Sequence, residues 1–273
     1  MVSFPNAKIN LGLQILRKRT DGYHDISSVF YPIKWADILE IIPSKSFQFT
    51  SSGLEIPGNP SHNLIVKAYE LIRTDFPDKV EPVAIHLHKI IPMGAGLGGG
   101  SADASFTLKM LNELFFLELT TTELENYARK LGSDCAFFIE NKPVYCFHKG
   151  DEFAASPVSL AGKTLVVINP MIHISTAEAY QHAMPTEAPV LVNQLIQKPM
   201  GTWKNQLAND FEKGLSAKYP LIAQLKEKLY EEGAIYASMT GSGSTLYGIF
   251  EQPIDTLVFK EWGDFMIWQG LLD

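Results

Sequence analysis

The chain has 273 residues, 46% hydrophobic and 19% charged, with a formal net charge of −7 at pH 7. That is globular composition, long enough for one large domain or two ordinary ones, and its acidity argues against nucleic acid as a bulk partner. No apolar run reaches bilayer length, the first 16 residues lack a signal-peptide pattern, and two cysteines, Cys135 and Cys146, without metal-ligand spacing, fit a reduced, cytoplasmic setting away from membranes.

In chain order, residues 4–17 alternate, with Ile9, Leu11, Leu13 and Ile15 apolar, and predict a strand. Strands are also expected at 26–33, 37–42 and 47–51. Residues 63–76 predict an amphipathic helix with Leu64, Ala68, Leu71 and Ile72 on one face. Residues 83–90 alternate as a strand. Residues 102–115 and 120–131 predict two helices, and 143–147 a short strand. Residues 154–162 are poor in pattern and contain Pro157, so the domain boundary is placed there, dividing 1–155 from 156–273. The second half predicts a buried strand at 164–169, a helix at 176–182, and a loop with weak helical character at 187–200. Helices follow at 211–219 and 221–232, then strands at 235–240 and 244–250 around a Gly-Ser-Gly-Ser turn. A helix at 252–262 and a strand at 264–269 close the chain. Helices alternating with antiparallel-looking strands predict an α+β class.

The most informative segment is Pro92-Met93-Gly94-Ala95-Gly96-Leu97-Gly98-Gly99-Gly100-Ser101-Ala102. Glycines remove the Cβ atoms that hold a ligand away from the backbone. The loop follows a strand and opens a helix, whose first N–H groups and positive dipole end form an anion site. A Walker loop is excluded because no Lys follows Gly99 or Gly100. Gly94, Gly96 and Gly99 spell a dinucleotide fingerprint. The expected strand after the helix is replaced by a second helix, which removes its context. The H-R-D and D-F-G elements of protein kinases are missing.

This segment resembles the nucleotide loop of the galactokinase, homoserine kinase, mevalonate kinase and phosphomevalonate kinase (GHMP) superfamily. Three glycines followed by Ser101-Ala102-Asp103 resemble its diphosphocytidyl kinases. The resemblance implies a βαβ nucleotide-binding lobe and a ferredoxin-like second lobe. It also implies binding of ATP, with Mg²⁺ bridging the outer phosphates, at residues 92–102.

Lys8 and Asn10 lie two apart on the first strand and point to one face with Gly12 and Gln14. A solvated face is the plain alternative. Pro5-Asn6-Ala7-Lys8-Ile9-Asn10-Leu11-Gly12-Leu13 resembles the superfamily's opening motif, which implies Lys8 at the transferring phosphate and Asn10 as a supporting contact. Leu131-Gly132-Ser133-Asp134-Cys135-Ala136-Phe137-Phe138 resembles the segment that carries the superfamily's base. Gly132 ends a helix, Ser133 or Asp134 could cap the next, and apolar neighbours would desolvate Asp134 as a base requires. Ala136 stands where the family has Pro.

Arg19-Thr20-Asp21-Gly22-Tyr23-His24 carries a turn signal, and its rings could hold a nucleobase. The diphosphocytidyl kinases carry the same string, which implies that Tyr23 and His24 bind cytosine. Ser238 to Thr245 resembles the third superfamily motif, with Gly241 and Ser242 bordering the acceptor. Thr176 matches a substrate-contacting position, and Asn63 and Lys89 match positions near adenine. His86 and His88 read as polar strand positions rather than metal ligands.

Together these imply phosphoryl transfer from ATP to the 2-hydroxyl of the methylerythritol part of a cytidine diphosphate substrate, in non-mevalonate isoprenoid synthesis. A monomer or weak homodimer is expected. The alternatives are a sibling kinase for homoserine or mevalonate, a non-catalytic nucleotide or sugar sensor on the same scaffold and, remotely, a dinucleotide oxidoreductase.

Overall fold

The computed structural model describes residues 1–272. The first half runs β1 (Val2–Ser3), β2 (Asn6–Lys18), β3 (His24–Ala36), β4 (Ile38–Pro43), β5 (Gln48–Gly53), α1 (Leu64–Asp75), β6 (Val83–Lys89), α2 (Gly99–Leu114), α3 (Thr121–Leu131) and α4 (Phe137–Glu140). There follow β7 (Val144–His148), β8 (Glu152–Ala155), β9 (Thr164–Asn169), α5 (Thr176–Gln181), α6 (Val192–Leu195), α7 (Asp210–Lys218), α8 (Pro220–Glu231), β10 (Tyr236–Met239), β11 (Leu246–Phe250) and β12 (Met266–Leu271). The chain forms two compact units, one of Met1–Ala7, Trp35–Met93 and Gly98–Lys142, the other of Lys8–Lys34, Gly94–Leu97 and Pro143–Asp273. Position 155/156 lies inside the second unit.

The first unit holds a sheet in the order β1-β4-β6-β5. β5 runs parallel to β6 and reaches it through α1, a βαβ connection. α1 starts because the Asn63 side chain accepts the Ile65 N–H at 2.9 Å. α3 starts on a capping box: Glu123 accepts the Thr120 N–H at 2.8 Å, and Thr120 accepts the Glu123 N–H at 3.3 Å. α1, α2 and α3 pack on one another.

The second unit holds two sheets, β2-β3-β7-β8 and β10-β11-β9-β12. In the latter all neighbours are antiparallel. Chain order 9-10-11-12 laid out as 10-11-9-12 is the ferredoxin-like arrangement. β9 is buried along its whole length between the two strands that flank it. Leu225 and Leu229 of α8 pack with Val166 and Ile168 in the core of this unit.

Several elements differ from the sequence expectation. α2 begins at Gly99, not 102, because the glycines belong to its first turn, where apolar spacing gives no signal. The expected helix at 252–262 is a 3₁₀ segment, Thr256–Trp262, started by Asp255 accepting the Leu257 N–H. Residues 187–200 contain α6, followed by a 3₁₀ segment at Met200–Asn205. β8 overlaps the stretch read as patternless, because its order comes from pairing with β7.

Candidate active site

In the second unit the two glycine segments touch. Gly96 has φ +76°, and a Cβ placed there would lie 2.1 Å from the Thr240 carbonyl oxygen. A Cβ on Gly241, φ +55°, would lie 2.9 Å from the Gly96 Cα. Only glycine permits this approach at these angles. The carbonyl of Gly96 then faces two donors, the Lys8 Nζ at 3.2 Å and the Thr240 Oγ1 at 3.1 Å. Leu97 accepts the Lys8 backbone N–H at 2.9 Å, which holds this part of the loop against β2.

Lys8 and Asn10 are not on a solvated face: they are 3% and 1% exposed. The Lys8 Nζ donates to the Asn10 Oδ1 at 2.6 Å and lies 4.7 Å from the centre of the Phe30 ring. Asn10 in turn donates from Nδ2 to Ser28 Oγ at 2.9 Å, and its backbone N–H donates to Thr240 Oγ1 at 3.0 Å. The Tyr247 hydroxyl donates to the Asn10 carbonyl at 2.7 Å. A buried ammonium is tolerable only with such satisfied partners, and they fix where its charge sits. Asn10 therefore acts on Lys8, as a support.

In the first unit, Pro92 is buried and Met93 is 40% exposed at the start of the loop. Gly98, φ +71°, stands at the N-cap of α2 and brings no side-chain cap. The N–H groups of residues 99–101 lack acceptors within the helix, whereas the Ala102 N–H donates to the Gly98 carbonyl at 2.9 Å. The former are the donors an anion would take. The Lys89 side chain is buried: its Nζ lies 2.5 Å from Asp37 Oδ2 and 2.7 Å from Asp103 Oδ2. Alternation along β6 explains this, since Val83, Ile85, Leu87 and Lys89 share the inward face. Asn63 uses its side-chain oxygen as the cap of α1.

Asp134 is half-buried on the turn between α3 and α4, with Ser133 Oγ at 3.4 Å from its Oδ1. The residue at the N-cap of α4 is Ala136, with no side-chain cap, so the capping alternative for Ser133 and Asp134 falls away. Gly132 caps α3 with an extended φ of 179° rather than a left-handed one.

The 19–24 segment is the hairpin turn between β2 and β3. Asp21 Oδ1 accepts the Tyr23 N–H at 3.1 Å, and Arg19 donates both to Asp21 and, at 2.8 Å, to Asp25. Tyr23 is 59% exposed with the Lys149 Nζ 5.1 Å from its ring centre. His24 stacks on Tyr180 at 4.5 Å between ring centres and 14° between planes. Burial first, and Lys18 second, lower the His24 pKa, which favours the neutral ring. Thr176 opens α5, and its Oγ1 lies 3.5 Å from Ser242 Oγ, so those two expected acceptor positions meet.

Three residues of this site escaped sequence reasoning as site residues. Thr240 bridges Asn10 and Gly96. Tyr180, on the short helix after the Ser175 cap, makes the platform for His24. Asn209 donates to the carbonyls of Met239 and Gly241 at 2.8 and 2.9 Å while capping α7. The string Asn209-Asp210-Phe211 shows the cap but not the second task. His86 and His88 share hydroxyls of Thr50 and Ser52 on β5.

The family model for the GHMP kinases N terminal domain matches residues 63–142, and that for the GHMP kinases C terminal matches 191–262. A Cytophaga hutchinsonii protein named 4-diphosphocytidyl-2-C-methyl-D-erythritol kinase is 52% identical over 257 residues, 94% of each chain. A Bacteroides thetaiotaomicron protein of the same name is 48% identical over 267 residues, 96% of each. A crystal structure of a 4-(cytidine 5'-diphospho)-2C-methyl-D-erythritol kinase aligns with TM-score 0.81 at 28% identity, covering 100% of this chain and 99% of that one. The homoserine kinase of Cytophaga hutchinsonii, at 15% identity and TM-score 0.69, shares the fold. The chain thus belongs to the GHMP kinases and, within them, to the 4-diphosphocytidyl-2-C-methyl-D-erythritol kinase family.

Proposed function

We propose that the chain transfers the γ-phosphoryl group of ATP to the 2-hydroxyl of 4-diphosphocytidyl-2-C-methyl-D-erythritol. The observation that carries this reading is the buried Lys8 ammonium, held by Asn10 and Gly96 where the two glycine segments touch. It fixes a positive charge against the Gly94–Leu97 part of the glycine loop.

The backbone N–H groups of 94–101 hold the phosphates of ATP. Asp134 accepts the proton of the acceptor hydroxyl, whose oxygen forms the new bond to the γ-phosphorus as the bond to the ADP oxygen breaks. Lys8 stabilises the charge on the transferring group. Positioning and electrostatics supply most of the rate in such transfers. His24 on its Tyr180 platform, with Tyr23, recognises cytosine. Thr176, Gly241 and Ser242 border the acceptor. The assignment of nucleotide binding to residues 1–155 and substrate binding to 156–273 enters this reading with one amendment: Tyr23 and His24 place base recognition in the first part as well. Asn63 is kept near the adenine through its backbone and cap.

Bound with the triphosphate, Mg²⁺ would supply charge neutralisation on the outer phosphates. Among the described residues no group of three or more His, Cys, Asp or Glu side chains could hold a metal ion.

The test is a coupled ADP-release assay with ATP, Mg²⁺ and, in turn, the cytidine substrate, homoserine and mevalonate. Turnover with the first alone is expected. Turnover with either of the others would favour a sibling kinase. ADP binding without phosphorylation of any acceptor would favour a sensor.

A further inference from the structure

We infer that Lys89, clamped between Asp37 and Asp103, is a positioning residue for the phosphate-binding glycine segment, tying the chain before the loop to the helix after it. This rests on the phosphate-site reading above and adds a residue that acts through others.

The clamp is built from one ammonium and two carboxylates. Asp37, at the junction of β3 and β4, accepts the backbone N–H groups of Ile90 and Ile91 on its Oδ1, at 2.5 and 2.8 Å. These residues immediately precede Pro92. Its Oδ2 takes the Lys89 ammonium at 2.5 Å. The same ammonium reaches Asp103 on α2 at 2.7 Å. Gly99, the first residue of that helix, sits directly against it: a Cβ there would lie 3.0 Å from Nζ and 2.9 Å from Ile91 Cγ2. One charged group therefore sets the spacing between the strand end and the helix N-terminus.

Stability alone is a poor reason for this cluster. Buried ion groups are often replaceable by apolar residues without loss. Here the two carboxylates outnumber the ammonium, and Asp103 Oδ1 is buried without a hydrogen-bond partner. Burial, opposed by Lys89 and reinforced by Asp37, pushes the Asp103 carboxyl up to about 7. An arrangement this unfavourable in charge makes sense where geometry is what it delivers, because N–H donors must converge on phosphate oxygens within tenths of an ångström.

Lys89→Met keeps the length of the side chain and removes its charge. Binding of ADP, the probe of the phosphate site, and of CDP, the probe of the acceptor site, is measured by calorimetry, alongside steady-state kinetics. The expected result is a loss of ADP affinity and a rise in KM for ATP of about tenfold, equivalent to roughly 1.4 kcal/mol, with CDP affinity unchanged. Equal affinities for ADP in folded Lys89→Met and wild type would overturn the inference, as would equal losses for ADP and CDP. Should Lys89→Met fail to fold, Asp37→Asn decides on the same two affinities. A selective loss for ADP supports the clamp, and no loss or an equal loss overturns it. Wild-type protein that does not bind ADP would instead sink the phosphate-site reading itself, so the two failures are distinguishable.

Discussion

Gly96→Ala is the perturbation whose consequences follow most directly from the geometry. Its φ of +76° costs a residue with a Cβ roughly 1–2 kcal/mol. The added methyl would lie 2.1 Å from the Thr240 carbonyl oxygen and 2.9 Å from its carbon, and backbone atoms cannot swing aside as a flexible side chain does. The loop must therefore shift away from the 241–243 turn. That shift takes the Gly96 carbonyl from the Lys8 ammonium and the Thr240 hydroxyl, worth about 1.5–3 kcal/mol for the charged donor and about 0.5–1.5 kcal/mol for the neutral one. The sum is about 3–6 kcal/mol. Because Lys8 loses its anchor, at least about a hundredfold is expected in kcat/KM, at roughly 1.4 kcal/mol per factor of ten. Gly162→Ala is the control: φ is +78°, and nothing lies within 4 Å of the new methyl. It incurs only the backbone cost and leaves activity unchanged. Urea unfolding and steady-state kinetics on both variants separate the terms. Gly96→Ala matching Gly162→Ala in stability and in kcat/KM would refute the argument.

Asp134→Asn, at a half-buried turn position, should leave ADP affinity and Tm nearly unchanged and lower kcat by at least about a hundredfold; a fully active variant removes Asp134 from its role. Thr240→Val strips the hydroxyl that serves the Asn10 N–H and the Gly96 carbonyl, and should destabilise by about 1–3 kcal/mol in urea unfolding, whereas an unchanged midpoint would contradict the buried bridge. Burial, opposed by Lys89 and reinforced by Asp37, lifts the Asp103 carboxyl of the folded chain from an ordinary 3.8 to about 7. The native state therefore binds more protons than the unfolded one across that window, and its contribution to stability falls as pH rises from about 4 to about 7. Asp103→Asn should flatten this slope, and identical pH–stability curves would disprove the linkage. Burial pushes the Cys135 thiol up to about 12, so iodoacetamide should label it in urea and not in the native protein at pH 8; rapid native labelling would contradict its burial.

Local periodicity and turn chemistry carried much of the reading. The alternation in β6 and the amphipathic spacing of α1 are local properties of the chain, which is why those elements were legible. The same alternation points Lys89 inward, but which carboxylates it meets there, Asp37 and Asp103, is a matter of long-range packing. The elements misjudged, the 3₁₀ segment at Thr256–Trp262 and β8, owe their form to what they pair or pack with.

The glycine run, its place between a strand and a helix, and the choice among phosphate loops were written in the chain itself, because backbone freedom and helix dipoles depend only on neighbouring residues. The tertiary structure alone decided that Lys8 is buried rather than solvated. Its ammonium meets the Gly96 carbonyl 88 residues away, and its support Asn10 meets Thr240 across 230 residues. It also decided that His24 rests on Tyr180 while Tyr23 turns outward. Such contacts arise only when distant segments pay the entropy of closing long loops, and no local pattern records which of them will meet.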